Sequence, residues 1–380
     1  MQLLDLCKQL LSRPSLTPND AGCQELIATI LGQNGFAIEQ TNIGETKNLL
    51  AIKGNPKAAA LVLLGHTDVV PPGDNWQTEP FKPEIVNEKL YARGAVDMKV
   101  AVACMIKTAC ELDLRQGRIA IMLTSDEEGH GNDGIFKVLP NWHKKIGSIK
   151  ACLVGEPTSN KKLGDTIKLG RRGSINGVIE ITGQQGHAAY PELVNSSITD
   201  AAKFIAVLEN HVWDKSPVAE FPATRLVCTG LNSMSHTCNV IPACTRIYFN
   251  IRYNPGIAPG AIKEEIQKLA KNHSISYQWQ IWQPSNGGPY QTKPQQLTKS
   301  LMLAIEQFTG ITPEFSYDGG TSDGRFMAEF CSEVVEFGAL RNYAHKTDEH
   351  ISLHEIDLLY NIYSRACQEF IYQNSEQLLA

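Results

Sequence analysis

The chain has 380 residues, of which 42% are hydrophobic and 20% are charged, the composition of an ordinary globular protein. This length exceeds what one hydrophobic core usually serves, so we expect two domains. A formal net charge of −5 gives no reason to expect nucleic acid or an anionic membrane surface as a partner. There is no run of about 18 uninterrupted apolar residues, the length that a membrane-spanning helix needs.

The N-terminus and the cysteines both indicate a cytoplasmic protein. Residues 1–6 carry Asp5 inside the first apolar patch and have no basic leader, which is typical of an amphipathic helix and not of a signal peptide. The ten cysteines are scattered without a Cys-x-x-Cys pair, so we expect reduced thiols and no disulfide framework. Any metal ligands should therefore be sought among His, Asp and Glu.

Four short apolar runs, each followed by polar residues, organise the first and last parts of the chain. They cover residues 58–64, 118–123, 150–154 and 333–337. Such runs predict central strands of a sheet that is covered on both faces. Helices are predicted at 2–12, 19–34, 100–112 and 353–373. Strands alternating with helices indicate an α/β fold, in which ligands bind at the carboxyl ends of the strands.

The middle of the chain predicts an inserted domain. Strands are predicted at 174–183, 224–231, 245–253 and 275–283, and helices at 197–211 and 260–272. This β-α-β-β-α-β order is the split βαβ arrangement of a ferredoxin-like α+β domain. We therefore assign residues 1–173 and 287–380 to the α/β domain and residues 174–286 to the insertion.

Five residues that follow the apolar runs are suited to bind metal. They are His66, Asp97, Glu128, Glu156 and His345. Three carboxylates and two imidazoles fit two metal ions that share one ligand, as in aminopeptidases. Asp97 is the natural bridge, because Gly94 lets the backbone bend before it and a helix begins after it with its positive end towards the carboxylate. Asp68 is placed to accept the second ring N–H of His66 and fix its tautomer.

Each of these signals has a simpler alternative when it is taken alone. A single His at a strand end is more often a hydrogen-bonded structural residue, and Glu127-Glu128 is more often a solvated turn. Together they are difficult to explain as solvated surface, because the preceding runs are predicted to be buried. One glutamate would bind metal while the other takes a proton from the attacking water, and the residues alone leave open which does which.

Five strings resemble the family of co-catalytic zinc peptidases and deacylases that includes acetylornithine deacetylase, carboxypeptidase G and aminoacylase. They are Gly65-His66-Thr67-Asp68-Val69-Val70-Pro71, Arg93-Gly94-x-x-Asp97-Met98-Lys99, Asp126-Glu127-Glu128, Gly155-Glu156-Pro157 and His345-Lys346-Thr347-Asp348-Glu349. The resemblance implies a zinc-peptidase-like α/β catalytic domain with an inserted ferredoxin-like α+β domain that acts as a lid and in dimerisation.

The resemblance also implies two Zn²⁺ ions per subunit, with Co²⁺ as a substitute. One ion would be held by His66, Asp97 and Glu156, and the other by Asp97, Glu128 and His345. Catalytic roles are implied for Glu127 as general acid/base, for Asp68, and for His187. His187 would donate to the oxyanion in the partner subunit's site of a homodimer. We prefer His345 to His350 as ligand because the ligand of the family precedes the acidic residue, here Glu349, by four positions.

Three further strings narrow the resemblance to the desuccinylase branch of the family. They are Gly170-Arg171-Arg172-Gly173-Ser174, Gln185-Gly186-His187-x-Ala189-Tyr190-Pro191 and Gly319-Gly320-Thr321-Ser322-Asp323-Gly324-Arg325. The branch implies hydrolysis of a small molecule, N-succinyl-L,L-2,6-diaminopimelate, with deacetylation of acetylornithine or a related N-acyl amino acid as the alternative. Candidate substrate ligands are Arg171, Tyr190, Asn239, Arg252, Gly320, Thr321 and Ser322.

Two positions depart from the pattern of the branch. Val100 stands where the family usually has glycine, and we expect a local change in packing there. Arg341 stands where the desuccinylases tend to have asparagine, four residues before the ligand His, and this loop borders the acyl pocket in relatives. Other classes of protein are disfavoured: a binding protein that had lost catalysis would lack a ligand or base, and a nucleotide-binding protein would have a glycine-rich phosphate loop.

Overall fold

The computed structural model describes residues 1–216, 218–233 and 237–379, with the side chains of 374–379 left aside. The chain forms two compact units. The larger unit contains Met1–Gly170, Gln291–Ser316 and Ser322–Ala380, and the smaller unit contains Arg171–Tyr290 and Tyr317–Thr321. Among the described residues, no helix is both long and apolar enough to cross a membrane.

The helices, in chain order, are α1 Leu3–Leu11, α2 Cys23–Gln33, α3 Lys99–Glu111, α4 Ile135–Ile146, α5 Ser197–Asn210, α6 Pro259–Asn272, α7 Gln296–Thr309, α8 Gly324–Met327 and α9 Leu353–Leu379. Two short 3₁₀ turns lie at Pro191–Leu193 and Arg341–Tyr343.

The strands up to the start of the smaller unit are β1 Ala37–Ile43, β2 Thr46–Gly54, β3 Ala60–His66, β4 Glu84–Val86, β5 Lys89–Tyr91, β6 Arg118–Thr124, β7 Ile149–Val154, β8 Thr166–Lys168 and β9 Gly170–Arg171. The remaining strands are β10 Gly173–Thr182, β11 Gly186–His187, β12 Arg225–Ser233, β13 Val240–Ile241, β14 Cys244–Tyr253, β15 Tyr277–Pro284, β16 Tyr290–Gln291, β17 Glu314–Ser316, β18 Val334–Glu336 and β19 His350–Ser352.

The larger unit is built on an eight-stranded mixed sheet with the order β1-β2-β6-β3-β7-β18-β8-β17. The four apolar runs predicted as central strands form β6, β3, β7 and β18, which are neighbours in this sheet and run parallel. Every residue of β3 is buried, as expected for a strand covered on both faces. Because these four strands are parallel, their carboxyl ends meet at the same edge of the sheet.

The residues at the start of α3 pack closely against two strand ends that carry glycine. The helix is buried on nearly all sides, and Val100 fits into it at 1% exposure. A Cβ atom on Gly65 would stand 2.7 Å from Met98 Cε, and one on Gly155 would stand 2.5 Å from the same atom. These glycines directly precede His66 and Glu156, so the close packing holds both ends in place.

The smaller unit has the element order β10-α5-β12-β14-α6-β15 and a four-stranded sheet with the order β12-β14-β10-β15. All three pairs of strands are antiparallel, which is the split βαβ arrangement. Strand β14 alternates buried and half-buried residues along its whole length. The alternation of residues 174–183 is typical of a half-exposed strand, but most of β10 is buried, because it lies between β14 and β15 at the centre of the sheet.

We predict that Gly338→Ala destabilises the larger unit. A Cβ atom at this position would stand 2.5 Å from the carbonyl oxygen of Glu156 and 2.7 Å from that of Gly155, and backbone atoms cannot move aside as a flexible side chain does. The expected loss is about 1–3 kcal/mol in the free energy of unfolding, measured by chemical denaturation.

The matched control is Gly32→Ala, within α2 of the same unit. Its nearest contact for a new Cβ atom is an ordinary 3.9 Å to Ile38, and alanine favours the helix over glycine by roughly 0.5–1 kcal/mol. Equal stability of Gly338→Ala and the wild type would show that the strand ends are less tightly packed than the structure indicates.

Candidate metal centre

The five predicted metal ligands lie at the carboxyl edge of the large sheet or on loops that lead to it. His66 is the last residue of β3, Glu128 follows β6, and Glu156 follows β7. Asp97 lies just before α3, and the peptide bond between Asp97 and Met98 is cis. His345 lies on the loop between β18 and β19.

Asp97 stands between the two histidines and faces each with a different carboxylate oxygen. Its Oδ1 lies 3.1 Å from His66 Nε2, and its Oδ2 lies 3.3 Å from His345 Nε2. Each histidine also has a glutamate of its own: Glu156 Oε1 lies 3.8 Å from His66 Nε2, and Glu128 Oε1 lies 2.9 Å from His345 Nε2. The cluster therefore consists of two similar halves that share Asp97.

Asp68 orients His66 from the opposite side of the ring. His66 Nδ1 lies 3.0 Å from the carbonyl oxygen of Asp68 and 3.5 Å from its carboxylate Oδ1. Both are acceptors, so the ring proton is held on Nδ1, and the lone pair of Nε2 points towards Asp97 and Glu156. His66 is 1% exposed and Asp68 is fully buried, which fixes this arrangement.

Asp68 also anchors the two adjacent glutamates. The backbone N–H groups of Glu127 and Glu128 donate to its two carboxylate oxygens at 3.4 and 3.1 Å. The side chain of Glu127 is half-buried, and its carboxylate lies within 4.8 Å of donor atoms of His66 and Glu156. Glu127 is therefore close enough to the cluster to bind an ion itself or to exchange a proton with a ligand of the ion.

The charges of the cluster are poorly balanced in the absence of a cation. Burial and the charge of Glu156 raise the pKa of Glu127 well above its usual value, and burial together with Asp97 raises the pKa of Glu128. Burial acts to lower the pKa of His66, but hydrogen bonds to Asp68 and Asp97 raise it well above the usual value. Hydrogen bonds to Asp97 and Glu128 raise the pKa of His345 to about 10.

The donor set fits a divalent cation. Metal ligands bind in their deprotonated forms, so metal binding to these histidines and carboxylates would release protons. Within the described part of the chain, two groups have all their donor atoms within 4.8 Å of one another: His66 with Asp97 and Glu128, and His66 with Glu127 and Glu156. Imidazole nitrogen with carboxylate oxygen is a set suited to borderline ions such as zinc.

His350, the alternative to His345, is occupied elsewhere. Its Nδ1 lies 2.8 Å from the carbonyl oxygen of Asp348, and its ring stands 4.6 Å from that of Tyr91 and 4.2 Å from that of Tyr343. Neither histidine belongs to the two compact donor groups of the described residues, but His345 Nε2 lies 2.9 Å from Glu128 Oε1 and 3.3 Å from Asp97 Oδ2. The geometry favours His345 as the ligand.

The smaller unit brings together two subsets of the predicted substrate residues. Arg171 is 6% exposed, and its Nη1 donates to the carbonyl oxygen of Gly320 at 3.2 Å, one residue before Thr321. His187 lies on β11, which pairs with β13, and the N–H of Ala188 donates to the carbonyl oxygen of Asn239 at 2.9 Å.

Two further substrate candidates are Tyr190, whose N–H donates to the carbonyl oxygen of His187 at 2.9 Å, and Arg252. Tyr190 is 57% exposed and its ring lies 5.7 Å from that of His187. Arg252 lies on β14 opposite Ser174 and is half-buried. Contact of either residue with a substrate stays a prediction.

The side chain of Ser322, like that of Arg171, already has a partner within the protein. The residue belongs to the larger unit and is fully buried, and its hydroxyl donates to the carboxylate of Glu336. A substrate contact through this hydroxyl would require that bond to break. A role of Ser322 in substrate binding therefore stays a prediction, and its observed partner is Glu336.

Sequence reasoning did not assign a role to Arg93 or Glu349, which form an ion pair of 2.6 Å directly beneath Asp97. Both residues stand inside strings that carry the family resemblance. Nothing in the local pattern showed that these charged side chains are buried, because burial here depends on contacts between residues more than 250 positions apart in the chain.

Comparison with known proteins agrees with this geometry. A succinyl-diaminopimelate desuccinylase from Thiobacillus denitrificans is 39% identical over 386 residues, which cover 99% of this chain and 97% of that protein. A succinyl-diaminopimelate desuccinylase from Nitrosococcus oceani is 42% identical over 369 residues, which cover 95% of this chain and 97% of that protein.

The fold is shared with a solved structure from another organism. Sso-CP2, an M20 family metallo-carboxypeptidase from Sulfolobus solfataricus, superposes with a TM-score of 0.82 at 17% identity, covering 99% of this chain and 100% of that one. At this identity the likeness shows the fold alone. The model of peptidase family M20/M25/M40 matches residues 62–369. The chain therefore belongs to peptidase family M20/M25/M40.

Proposed function

We propose that the protein is a dizinc amide hydrolase that cleaves N-succinyl-L,L-2,6-diaminopimelate to succinate and L,L-diaminopimelate, a reaction of lysine biosynthesis in the cytoplasm. The observation that carries the proposal is the position of Asp97, whose two oxygens each face a different histidine–glutamate pair. Two relatives named for this activity match the chain along nearly its whole length.

The residues divide into two ion sites with a shared carboxylate. His66, Asp97 and Glu156 would hold one Zn²⁺, and Asp97, Glu128 and His345 the other; Co²⁺ has similar ligand preferences and would substitute. When bound, the ions polarise the amide carbonyl and make water a stronger nucleophile at neutral pH. The protein's own task is to keep these five side chains in position.

Glu127 is the proposed general acid/base. It lies beside His66 and Glu156, and the bond from its N–H to Asp68 fixes the backbone from which its side chain extends. A general base must lie within hydrogen-bond reach of the attacking water, and the position of Glu127 beside His66 and Glu156 fits this role. In the proposed reaction its carboxylate takes a proton from the attacking water and later delivers it to the nitrogen of the leaving amine.

His187 is the proposed oxyanion donor, supplied by the partner subunit of a homodimer formed through residues 174–286. Its side chain is exposed, and its Nδ1 accepts a hydrogen bond from the N–H of Ala189 at 3.0 Å. The neutral ring therefore carries its proton on Nε2, which makes Nε2–H the donor that an oxyanion needs.

The proposed substrate carries carboxylates at both ends, which guanidinium groups bind well in bidentate geometry. Arg171 and Arg252 are the proposed anchors, with Tyr190, Asn239, Gly320, Thr321 and Ser322 as further candidates. The alternative substrates are acetylornithine and related N-acyl amino acids. Arg341 keeps this alternative open, because it stands where the desuccinylases tend to have asparagine.

We predict that Glu127→Gln retains its metal ions and loses about 10²–10⁴-fold in kcat with the succinyl substrate, the usual contribution of a general base. The substitution preserves shape and removes the proton-accepting carboxylate. Elemental analysis measures whether the metal ions are retained, and initial rates of amine release measure the loss in kcat. Near-normal turnover would remove Glu127 from its assigned role.

We also predict that two inactive variants restore activity when they are mixed as subunits. In a heterodimer of Glu127→Gln with His187→Ala, the site that keeps Glu127 receives His187 from its partner. Random reassociation from denaturant should therefore return roughly a quarter of the wild-type activity, since half of the dimers have one complete site. Activity that stays at the level of the separate variants would contradict a shared site, and His187→Gln mixed with His187→Ala is the control.

A further inference from the structure

The ion pair of Arg93 and Glu349 is buried beneath the proposed metal ligands of the larger unit. Arg93 is 2% exposed and Glu349 is 1% exposed, and their Nη1 and Oε2 atoms are 2.6 Å apart. Charged residues are rarely buried to this extent unless several hydrogen bonds satisfy them. The partners of the two side chains lie on three loops at the metal centre.

Glu349 fixes the backbone that leads into the bridging carboxylate. Its Oε1 accepts from the N–H groups of Val96 at 2.7 Å and of Asp97 at 3.1 Å, and its Oε2 accepts from the N–H of Gly94 at 3.0 Å. The segment from Gly94 to Asp97 thus curls around one carboxylate group. The position of Asp97 is set by Glu349 through three bonds to the main chain.

Arg93 connects this segment to the loop that carries His345. Its Nη2 donates to the carbonyl oxygen of Pro72 at 3.0 Å, and its Nη1 donates to that of Lys346 at 3.3 Å. A longer bond of 3.5 Å reaches the carbonyl oxygen of His345 itself. His345 has a φ angle of +62°, a left-handed conformation that a residue with a Cβ atom rarely adopts without support from its surroundings.

The two halves of the metal centre differ in how their ligands are held. His66 ends the fully buried strand β3, and Glu156 lies directly after β7, so the sheet positions both. His345 stands on a loop, with half of its side chain exposed. The backbone contacts of Arg93 and the backbone bond between the N–H of Ala92 and the carbonyl oxygen of Glu349 hold that loop against the rest of the unit.

We propose that Arg93 and Glu349 are a positioning pair that sets the placement of His345 relative to Asp97. The two ion sites therefore depend on this pair to different degrees. The site that contains His345 depends on it more than the site that contains His66. The proposal rests on the two ion sites of the proposed function. Neither residue touches the reacting atoms, and both act through the main chain that carries the ligands. Partners of metal ligands typically affect metal affinity by about 10–100-fold.

The experiment measures zinc binding to full-length protein that has been stripped with a chelator, by competition with a zinc-sensitive dye. The test variant is Glu349→Gln, and the matched control is Glu333→Gln. Glu333 is 2% exposed in the same unit and accepts from the N–H groups of Gln295, Leu297 and Thr298 at 2.8–2.9 Å, at the start of α7. Both variants remove a buried carboxylate that binds main-chain donors, and only Glu349 lies at the metal loops.

We expect two zinc ions in the wild type and in Glu333→Gln, with equal affinities in these two proteins. Glu349→Gln should keep one ion within about threefold of the wild-type affinity and bind the second about 10–100-fold more weakly. Its kcat should recover as zinc is raised, whereas Glu333→Gln should show only a lower melting temperature. Unchanged affinities in Glu349→Gln, or equal weakening of both sites, would overturn the proposal.

A second variant, Arg93→Lys, tests the proposal if Glu349→Gln does not fold, and the wild type tests whether two ions bind at all. Arg93→Lys keeps the positive charge and leaves the bonds of Glu349 to Val96 and Asp97 in place, but it cannot reach both the loop of Pro72 and that of Lys346. Circular dichroism shows whether Glu349→Gln folds. If it does not, weaker binding of only the second zinc ion by Arg93→Lys supports the proposal, and unchanged zinc affinities in Arg93→Lys overturn it. A wild type that binds fewer than two ions contradicts the metal assignment of the proposed function, and the inference with it.

Discussion

Repulsion among buried carboxylates is the constraint on which the metal centre depends. Asp97, Glu127, Glu128 and Glu156 lie around two histidines, and burial together with neighbouring negative charge raises the pKa of Glu127 and of Glu128. Such a cluster is costly to fold without positive charge, since each carboxylate loses hydration and faces others of the same sign. Divalent cations would relieve this cost, which is consistent with a candidate metal site at this cluster.

The fold provides the rigidity that such a cluster needs. Four parallel buried strands end at the same edge, and Met98 packs against Gly65 and Gly155 at two of these ends. Lys99 ties the start of α3 to the N-terminal segment. It is 1% exposed, and its Nζ donates to the carbonyl oxygens of Leu10 and Arg13 at 3.1 and 2.8 Å. The start of α3, and with it Asp97, is thereby fixed to the N-terminal helix.

Much of this arrangement could be predicted from the sequence, for physical reasons that apply to particular residues. The runs at 58–64 and 150–154 are almost uninterrupted in apolar residues, so their burial and the convergence of His66 and Glu156 follow from the properties of parallel sheets. The split βαβ order of the smaller unit could be predicted in the same way. Whether a residue lies at the end of a strand depends on its neighbours in the chain, so the sequence pattern predicts it well.

Burial of polar side chains on loops could not be predicted, because it depends on contacts that are distant in the chain. Glu349 follows four polar or charged residues and would be expected in solvent, yet it is 1% exposed. The sequence pattern around Ser322 likewise did not indicate that its buried hydroxyl donates to Glu336, fourteen positions further along the chain. The pattern of Glu127-Glu128 did not distinguish ligand from base, and the structure places both carboxylates at the cluster.

The most direct test of the account is a comparison of two substrates with chelator-stripped enzyme before and after zinc is restored. The account predicts no hydrolysis by the stripped protein, and zinc-restored cleavage of N-succinyl-L,L-2,6-diaminopimelate without cleavage of acetylornithine. Cleavage of acetylornithine in its place would contradict the proposed substrate and indicate that Arg341 marks a different specificity. Full activity of the stripped protein would contradict the metal-dependent mechanism.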